Sequence, residues 1–223
     1  MAITTESATS AATTLTSTVP QLQVANLSFA YPKRLMFDDW SCQLGPGITW
    51  LRGENGSGKT TLLKLLGGAL DARGGQIRLN DWDIRQQPLA YREHSFWCSS
   101  ESPDFSWLSV REFLDLHLSL YPQTQSAAVH AELEAFHMLP VLNNRINTLS
   151  LGQHKKLHLC LALALPVQLL LIDEPFNALD VDAIAHLRQR LSEPQRLQRQ
   201  CIVMTSHVAP EVPLAQALML ANV

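Results

Sequence analysis

The sequence lacks basic character and is poor in cysteine. Lys and Arg number 17 against 20 Asp and Glu, which gives a net charge of −3. Without a basic patch, the chain has no electrostatic footprint for binding nucleic acid or an anionic membrane surface. The four cysteines, Cys42, Cys98, Cys160 and Cys201, lie far apart with no C-x-x-C pair. This spacing argues against a zinc site or a disulfide framework and favours buried free thiols in a reducing cytoplasm.

The sequence also lacks a long hydrophobic run and a targeting segment. The longest apolar stretch, residues 157–172, contains His158, Pro166 and Gln168, so it is too short and too interrupted to span a bilayer. Thr, Ser and Ala dominate the first twenty residues, with no basic start, no compact apolar core and no arginine. We therefore expect no secretory signal or transit peptide, but a disordered tail at 1–20 followed by one domain at 21–223.

A phosphate-binding pattern, G-x-x-x-x-G-K-[ST], occupies residues 53–60, between an apolar run at 48–51 and leucines at helical spacing. A strand, a glycine loop and a helix in that order present backbone N–H groups and a positive helix end to a polyphosphate. Lys59 would reach the β- and γ-phosphates, and the Thr60 hydroxyl would hold Mg²⁺. The alternative, a Gly-rich turn with a solvated lysine, leaves the flanking strand and helix unexplained. The predicted nucleotide-binding residues are Gly53, Glu54, Asn55, Gly56, Ser57, Gly58, Lys59, Thr60 and Thr61.

A second informative stretch runs from Leu169 to Pro175, where four apolar residues precede two carboxylates. Such a run predicts a strand buried on both faces, whose C-terminal end is the place where parallel sheets bind ligands. Asp173 is positioned for the Mg²⁺ shell, and Glu174 for orienting or deprotonating a water that attacks the γ-phosphate. The alternative is an acidic turn that caps a helix at about 182–192.

The segment Leu149–Gln153 precedes another helical pattern. Ser150 is a natural N-cap, and Gln153 three residues later completes a capping box. The segment is either a helix start only, or a second anion site that a partner chain would supply. Around it, the coarse pattern predicts a strand-rich front, an α/β core and an inserted helical subdomain at about 100–160, with Cys201–Thr205 as the final strand.

These motifs together resemble the ATP-binding-cassette (ABC) ATPases, the nucleotide-binding subunits of ABC transporters. The phosphate loop, the LSLGQ signature, the LLLIDEP strand, the NALD segment at 177–180 and His207 occur in family order, and the likeness extends from Leu22 to the C-terminus. The resemblance implies an α/β fold, a P-loop NTPase of ABC type with an antiparallel β subdomain and a helical subdomain. It also implies that Tyr31 stacks on adenine and that His207 contacts the γ-phosphate and the attacking water.

The resemblance further implies partners and a location. Two chains, expected as a homodimer, would sandwich two ATP molecules with Mg²⁺. Each nucleotide would lie between one chain's phosphate loop and the other's signature residues, Ser150, Leu151, Gly152 and Gln153, and the NALD segment with Asp180 would cross the interface. A separate transmembrane permease would hold the dimer at the cytoplasmic face of the inner membrane.

Two positions depart from the family pattern. The signature usually reads LSGGQ, and Leu151 stands here in place of the first glycine. No glutamine lies in the loop where the family has one that touches Mg²⁺, and Glu101 aligns best with it. A carboxylate at position 101 would still coordinate Mg²⁺.

Within the family, the run from Asp173 to Leu191 most resembles the haem-exporter ATPase of cytochrome c maturation. The alternatives are a soluble ABC ATPase without a transport role, or a regulatory subunit that hydrolyses ATP slowly. Phe96, Trp97, Phe105 and Trp107 crowd the segment around Glu101. We expect the first two to pack in the interior and the last two to lie on a loop that faces the permease.

Overall fold

Two sheets, one antiparallel and one parallel, organise the part of the chain that the computed structural model describes, residues 19–99 and 105–221. The strands are β1 (Leu22–Tyr31), β2 (Arg34–Leu44), β3 (Gly47–Arg52), β4 (Gly74–Leu79), β5 (Trp82–Asp83), β6 (Ser95–Cys98), β7 (Leu169–Ile172), β8 (Cys201–Thr205) and β9 (Gln216–Met219). The α-helices are α1 (Lys59–Leu66), α2 (Pro88–Glu93), α3 (Val110–Leu120), α4 (Ser126–Ala135), α5 (Leu151–Ala164), α6 (Val181–Leu191) and α7 (Pro194–Arg199). Short 3₁₀ turns cover Leu139–Val141 and Ile146–Thr148. Glu101 and nearly all of the predicted tail lie outside the described residues.

The antiparallel sheet has the order β2–β1–β4–β5. Residues 32 and 33 alone separate β1 from β2, so Tyr31 pairs directly with Arg34. Pro32 occupies the first position of this turn, and its ring suits such a tight reversal because it already fixes the backbone angle φ. The hairpin thereby places Tyr31 and Arg34 side by side at the tip of the sheet. Its inner face packs on the leucines of α1, which are almost fully buried.

The parallel sheet has the order β6–β7–β8–β3–β9. All four residues of β7 are completely buried, as expected for a strand covered on both faces. Because the strands run parallel, their carboxyl ends meet at one edge, where the phosphate loop, Asp173 and His207 each follow a strand. The expectation that Cys201–Thr205 is the last strand is wrong, since β9 pairs with β3 beyond it. Strand β9 is short and largely exposed, and its residues Gln216–Met219 show no alternation of apolar and polar side chains.

The helices α3, α4 and α5 build a second apolar core with contributions from Phe113, Leu133 and Phe136. A buried ionic cluster joins this region to α6. Glu132, 3% exposed, accepts from His186 Nε2 at 2.8 Å and from Arg190 Nε at 2.6 Å. The exact bounds of the helical subdomain remain a prediction.

Within residues 19–99 and 105–221 no helix is both long and apolar enough to cross a bilayer. All four cysteines are free, as expected, but only Cys98, Cys160 and Cys201 are buried, whereas Cys42 is half-buried. Burial raises the pKa of Cys98 to about 11 and that of Cys201 to about 12, so these two thiols stay protonated and unreactive near neutral pH.

Candidate nucleotide-binding site

The phosphate loop takes its shape from glycines in the left-handed region. Gly56 and Gly58 have φ values of +82° and +98°. At Gly53 the constraint is steric, because an added Cβ would lie 2.4 Å from Ser57 Oγ and 2.8 Å from the Leu220 carbonyl oxygen. Contacts this close exclude any side chain at position 53 without movement of the backbone. The loop therefore keeps its turn, with α1 beginning directly after it at Lys59.

Lys59 folds back over this loop. Its Nζ donates to the carbonyl oxygens of Gly53 at 2.8 Å and Glu54 at 3.0 Å. The ammonium thus lies within the curve of the loop, next to the N-terminus of α1. A fixed cation beside a helix N-terminus is an arrangement suited to the phosphates of a nucleotide.

Asp173 is a buried carboxylate held by two hydroxyl groups. Thr60 Oγ1 donates to Asp173 Oδ2 at 2.9 Å, and Thr205 Oγ1 donates to Asp173 Oδ1 at 2.7 Å. The residue is only 3% exposed. A hydroxyl and a carboxylate at hydrogen-bond distance form an oxygen donor set of the kind that Mg²⁺ prefers. The predicted metal residues Thr60 and Asp173 are therefore adjacent and chemically suited to the ion, whereas Glu101 lies outside the described residues.

Glu174 and His207 face each other beside Asp173. Glu174 has a φ of +47°, unusual for a residue with a side chain, and its N–H donates to Thr205 Oγ1 at 2.8 Å. Its carboxylate accepts from the His207 N–H at 3.3 Å, and His207 Nε2 lies 3.5 Å from Glu174 Oε1. Thr205 therefore fixes both acidic residues and the strand end that precedes His207.

A cleft of about 370 Å³ brings most of the predicted nucleotide-binding and catalytic residues together, but Gly53, Glu54 and Ser57 are not among the described residues that line it. Its lining includes Tyr31, Asn55, Gly56, Gly58, Lys59, Thr60, Thr61, Asp173, Glu174 and His207. At the cleft's outer end the hydroxyl of Tyr31, 40% exposed, lies 3.3 Å from Thr61 Oγ1. The exposed ring is available for stacking on a base.

Three further residues of the site escaped the sequence reasoning. Arg34 lines the cleft, and its Nη2 donates to the Gly56 carbonyl oxygen at 2.8 Å. Thr205 bonds both acidic residues, and Lys155 Nζ donates to the Asp173 carbonyl oxygen at 2.7 Å. The available signals were a cation just after the Tyr31 turn and a threonine at the end of a buried strand, whereas Lys155 stands in a polar stretch of α5 and gave no signal.

The signature segment lies elsewhere in the chain's own fold. The predicted capping box is present, since Ser150 Oγ accepts from Gln153 N–H at 3.2 Å and Gln153 Oε1 accepts from Ser150 N–H at 2.9 Å. In the described part of the chain, these residues are not among those that line the cleft. Leu151, on the first turn of α5, is 70% exposed. The helix start is therefore established, and the anion site remains a prediction.

The NALD segment packs on the signature helix. Asp180 is the N-cap of α6, where it accepts from the Ala183 N–H at 2.9 Å and forms an ion pair with Lys156 Nζ at 2.5 Å. The hydrogen bond from Lys156 lowers the pKa of the Asp180 carboxyl. Asp180 thus links the start of α6 to α5.

Comparisons with known proteins agree with this geometry. Residues 37–177 match the family model described as "ABC transporter". The chain is 34% identical to a Pseudomonas putida "Cytochrome c biogenesis ATP-binding export protein CcmA", over 83% of this chain and 89% of that protein. It is 28% identical to the protein of the same name from Colwellia psychrerythraea, over 86% and 87% of the two chains.

Solved structures give the same result for the fold. The structure of the "ATP binding subunit of ABC transporter" superposes with a TM-score of 0.82 at 26% identity, over 92% of this chain and 87% of that one. An ABC transporter ATP-binding protein from Pyrococcus furiosus superposes with a TM-score of 0.71 at 22% identity, over 90% and 97% of the two chains, which supports the fold alone. The predicted fold class is thereby confirmed.

Proposed function

The chain belongs to the ABC transporter family as an ATP-hydrolysing subunit, and we propose that it powers haem export for cytochrome c maturation as half of a nucleotide-sandwich dimer. The observation that carries the catalytic part is the convergence of Lys59, Thr60, Asp173 and Glu174 on one cleft. The name shared by the relatives from Pseudomonas and Colwellia, cytochrome c biogenesis ATP-binding export protein, supports the transport process.

The phosphate loop binds the β- and γ-phosphates through backbone N–H groups and the Lys59 ammonium. Thr60 and Asp173 would hold Mg²⁺ through their oxygens. When bound, Mg²⁺ would neutralise charge on the phosphate oxygens. Tyr31 stacks its exposed ring on the adenine at the other end of the cleft.

Hydrolysis needs a base and a group that orients the γ-phosphate. Glu174 takes the proton from the attacking water, because its carboxylate lines the cleft next to the metal residues. His207 lies within 3.5 Å of that carboxylate and contacts the γ-phosphate.

The second chain supplies the other half of each site. The signature helix presents its N-terminus at Ser150, with an exposed Leu151 beside it, and this N-terminus is a positive helix end suited to a γ-phosphate. The cleft of the same chain does not include these residues, so the partner copy's signature completes it. We expect a homodimer, with Asp180 near the contact between the two chains.

A membrane permease is the remaining partner. Phe105 and Trp107 are 41% and 64% exposed, and their rings meet edge to face at a centroid distance of 5.7 Å. Large aromatic side chains exposed together mark an interaction surface. Docking there places the ATPase peripherally, at the cytoplasmic face of the inner membrane.

The proposed role in haem export is tested in a bacterium whose own cytochrome c maturation ATPase gene is deleted. Expression of this chain should restore haem-stained c-type cytochromes, and Lys59→Ala should not, because the cation at the phosphates is lost. Levels of b-type cytochromes serve as the internal control. If the chain hydrolyses ATP and binds a different permease without restoring c-type cytochromes, the substrate assignment is wrong while the ATPase assignment stands.

A further inference from the structure

The peptide group between Asp173 and Glu174 is held at both ends. Its carbonyl oxygen accepts from Lys155 Nζ at 2.7 Å, and its N–H donates to Thr205 Oγ1 at 2.8 Å. Glu174 sits directly after this peptide with a φ of +47°. A rotation of the peptide would move the Glu174 side chain, so the two hydrogen bonds fix the direction of the catalytic carboxylate.

Lys155 is an unusual residue for this task, because it is only 7% exposed. Burying an ammonium carries a large desolvation cost unless the charge has a well-placed partner. Of the two hydrogen bonds, the one from Lys155 is charge-assisted and therefore the stronger. Because its Nζ reaches the backbone carbonyl of the buried Asp173, the Lys155 ammonium lies in the interior behind the site.

Lys155 also belongs to the signature helix. It follows the N-cap Ser150 by five positions on α5, a distance of about 7.5 Å along the helix axis. The first turn of the same helix packs closely on the segment after Glu174, because an added Cβ on Gly152 would lie 2.7 Å from the Ala178 carbonyl oxygen. A rigid helix thus connects the signature N-terminus with the peptide that orients Glu174.

We propose that Lys155 is a positioning residue that couples the two nucleotide sites of the dimer. When the signature helix of one chain closes on its partner's nucleotide, Lys155 carries the shift of that helix to the Asp173–Glu174 peptide of its own chain. Glu174 then adopts the orientation that accepts the proton from water. This inference rests on the proposed sandwich dimer.

The test uses the full chain with three substitutions on α5. Lys155→Met keeps an unbranched side chain that is one atom shorter and removes the donor, and Lys155→Arg restores a charged donor. Leu159→Ala, at a completely buried position of the same helix, creates a cavity without touching the peptide and controls for lost stability. Steady-state hydrolysis against ATP concentration, equilibrium binding of a fluorescent ATP analogue and thermal melting are measured for each variant.

We expect Lys155→Met to lower kcat on the order of 10- to 100-fold, because a misoriented catalytic group loses most of its effect. Nucleotide affinity should change by less than about threefold, since the phosphate loop is intact. The Hill coefficient should fall from near the number of sites toward about 1. Lys155→Arg should recover part of kcat, and Leu159→Ala should keep both kcat and cooperativity at temperatures where it is folded. If Lys155→Met does not fold, Lys155→Gln, which shortens the reach of the donor, is judged by the same criteria.

Failure of the sandwich dimer and failure of the proposed role of Lys155 give different results. If the wild-type chain hydrolyses ATP as a monomer without cooperativity, the sandwich dimer fails, and the coupling role fails with it. If the wild type is cooperative but the Lys155 variants retain its kcat and Hill coefficient, only the role of Lys155 is overturned. A loss of kcat that Leu159→Ala reproduces at matched thermal stability would also overturn that role.

Discussion

Gly152 lies so close to the Ala178 carbonyl oxygen that a Cβ on Gly152 would stand 2.7 Å from it. The contact joins the signature helix to the NALD segment, in which Ala178 itself has a φ of +62°. The atom that the Cβ would meet belongs to the backbone, so it cannot move aside as the end of a flexible side chain can. The one glycine of this chain's signature is therefore required by packing within one chain, in addition to any role at a partner's nucleotide.

Gly152→Ala should displace the first turn of α5 from the NALD segment. We expect a lower melting temperature, a cost of about 1–3 kcal/mol for overpacking, and a large loss of hydrolysis with MgATP binding to the chain's own cleft retained. Thermal melts and nucleotide titrations check this outcome. Leu151→Ala is the matched control for stability, because Leu151 is 70% exposed and its truncation creates no clash. Equal melting curves for Gly152→Ala and the wild type would show that the contact relaxes freely.

Arg34→Leu should weaken nucleotide binding. The substitution removes the hydrogen bond from the guanidinium to the Gly56 carbonyl oxygen and a positive charge from the cleft. A hydrogen bond from a charged donor contributes about 1.5–3 kcal/mol, so we expect the Kd for ATP to rise about tenfold or more. Titration with a fluorescent ATP analogue gives the value. Lys33→Leu, at the exposed neighbouring turn position, should leave the Kd unchanged, and an equal effect of both substitutions would point to net charge alone.

Local patterns predicted three structural elements of the candidate site. The glycine loop, the strand of completely buried residues before Asp173 and the capping box of Ser150 each depend on neighbours within a few positions, and the structure contains all three. Contacts between distant elements were not predictable in this way. Arg34 meets Gly56 across 22 positions, and Lys155 meets Asp173 across 18. The spacing of residues in the sequence does not predict such contacts, because they depend on how sheets and helices pack.

The edge of the parallel sheet shows a second limit of prediction from sequence. Strand β8 was predicted with its correct bounds because all five of its residues are buried and apolar or small. Strand β9 was missed because it pairs only with β3 along one side and exposes most of its side chains. A short edge strand of this kind has no alternation for a pattern to detect.

Glu174→Gln should trap the ATP-bound dimer. The amide keeps the shape of the side chain and removes the base, so we expect hydrolysis to slow on the order of a hundredfold or more while ATP binding persists. Size-exclusion chromatography with light scattering should show a dimer with MgATP and a monomer without it.

Ser150→Arg in the Glu174→Gln background is the control for the trapped dimer. The added side chain places bulk at the helix N-terminus that meets the partner's nucleotide, so the ATP-dependent dimer should not form although the cleft still binds ATP. A Glu174→Gln chain that stays monomeric with ATP and hydrolyses it at the wild-type rate would contradict the role of Glu174.

His158 should make the folded protein sensitive to acid. Burial, followed by the charges of His117, His154 and Lys155, lowers the pKa of His158 to about 4. Its Nε2 has no hydrogen-bond partner in the described part of the chain. The unfolded chain, with a histidine pKa of about 6.5, takes up the proton first as the pH falls. The contribution of neutral His158 to the free energy of unfolding is therefore complete above about pH 6.5 and is lost as the pH falls toward about 4. At about pH 5 the loss is about 2 kcal/mol.

Urea unfolding at about pH 7.5 and about pH 5 tests this prediction, with His158→Leu as the comparison. The wild type should lose more free energy of unfolding between these pH values than His158→Leu does, because carboxylates contribute equally to both. Parallel pH dependences would mean that His158 is hydrated or protonated in the folded state.

Trp107→Ala should weaken association with the permease. Trp107 is 64% exposed next to Phe105, on a turn before α3, and a truncated aromatic anchor at a protein interface costs about 2 kcal/mol or more. The expected result is a loss of affinity for the membrane subunit of about 30-fold, with ATP binding by the isolated chain unchanged. Met219→Ala, an equally exposed apolar residue on edge strand β9, should leave affinity as it is. The measurement is binding to the permease in detergent, beside a thermal melt of each variant. Unchanged affinity would remove Trp107 from the docking surface, and a collapse in melting temperature would assign the residue to the fold instead.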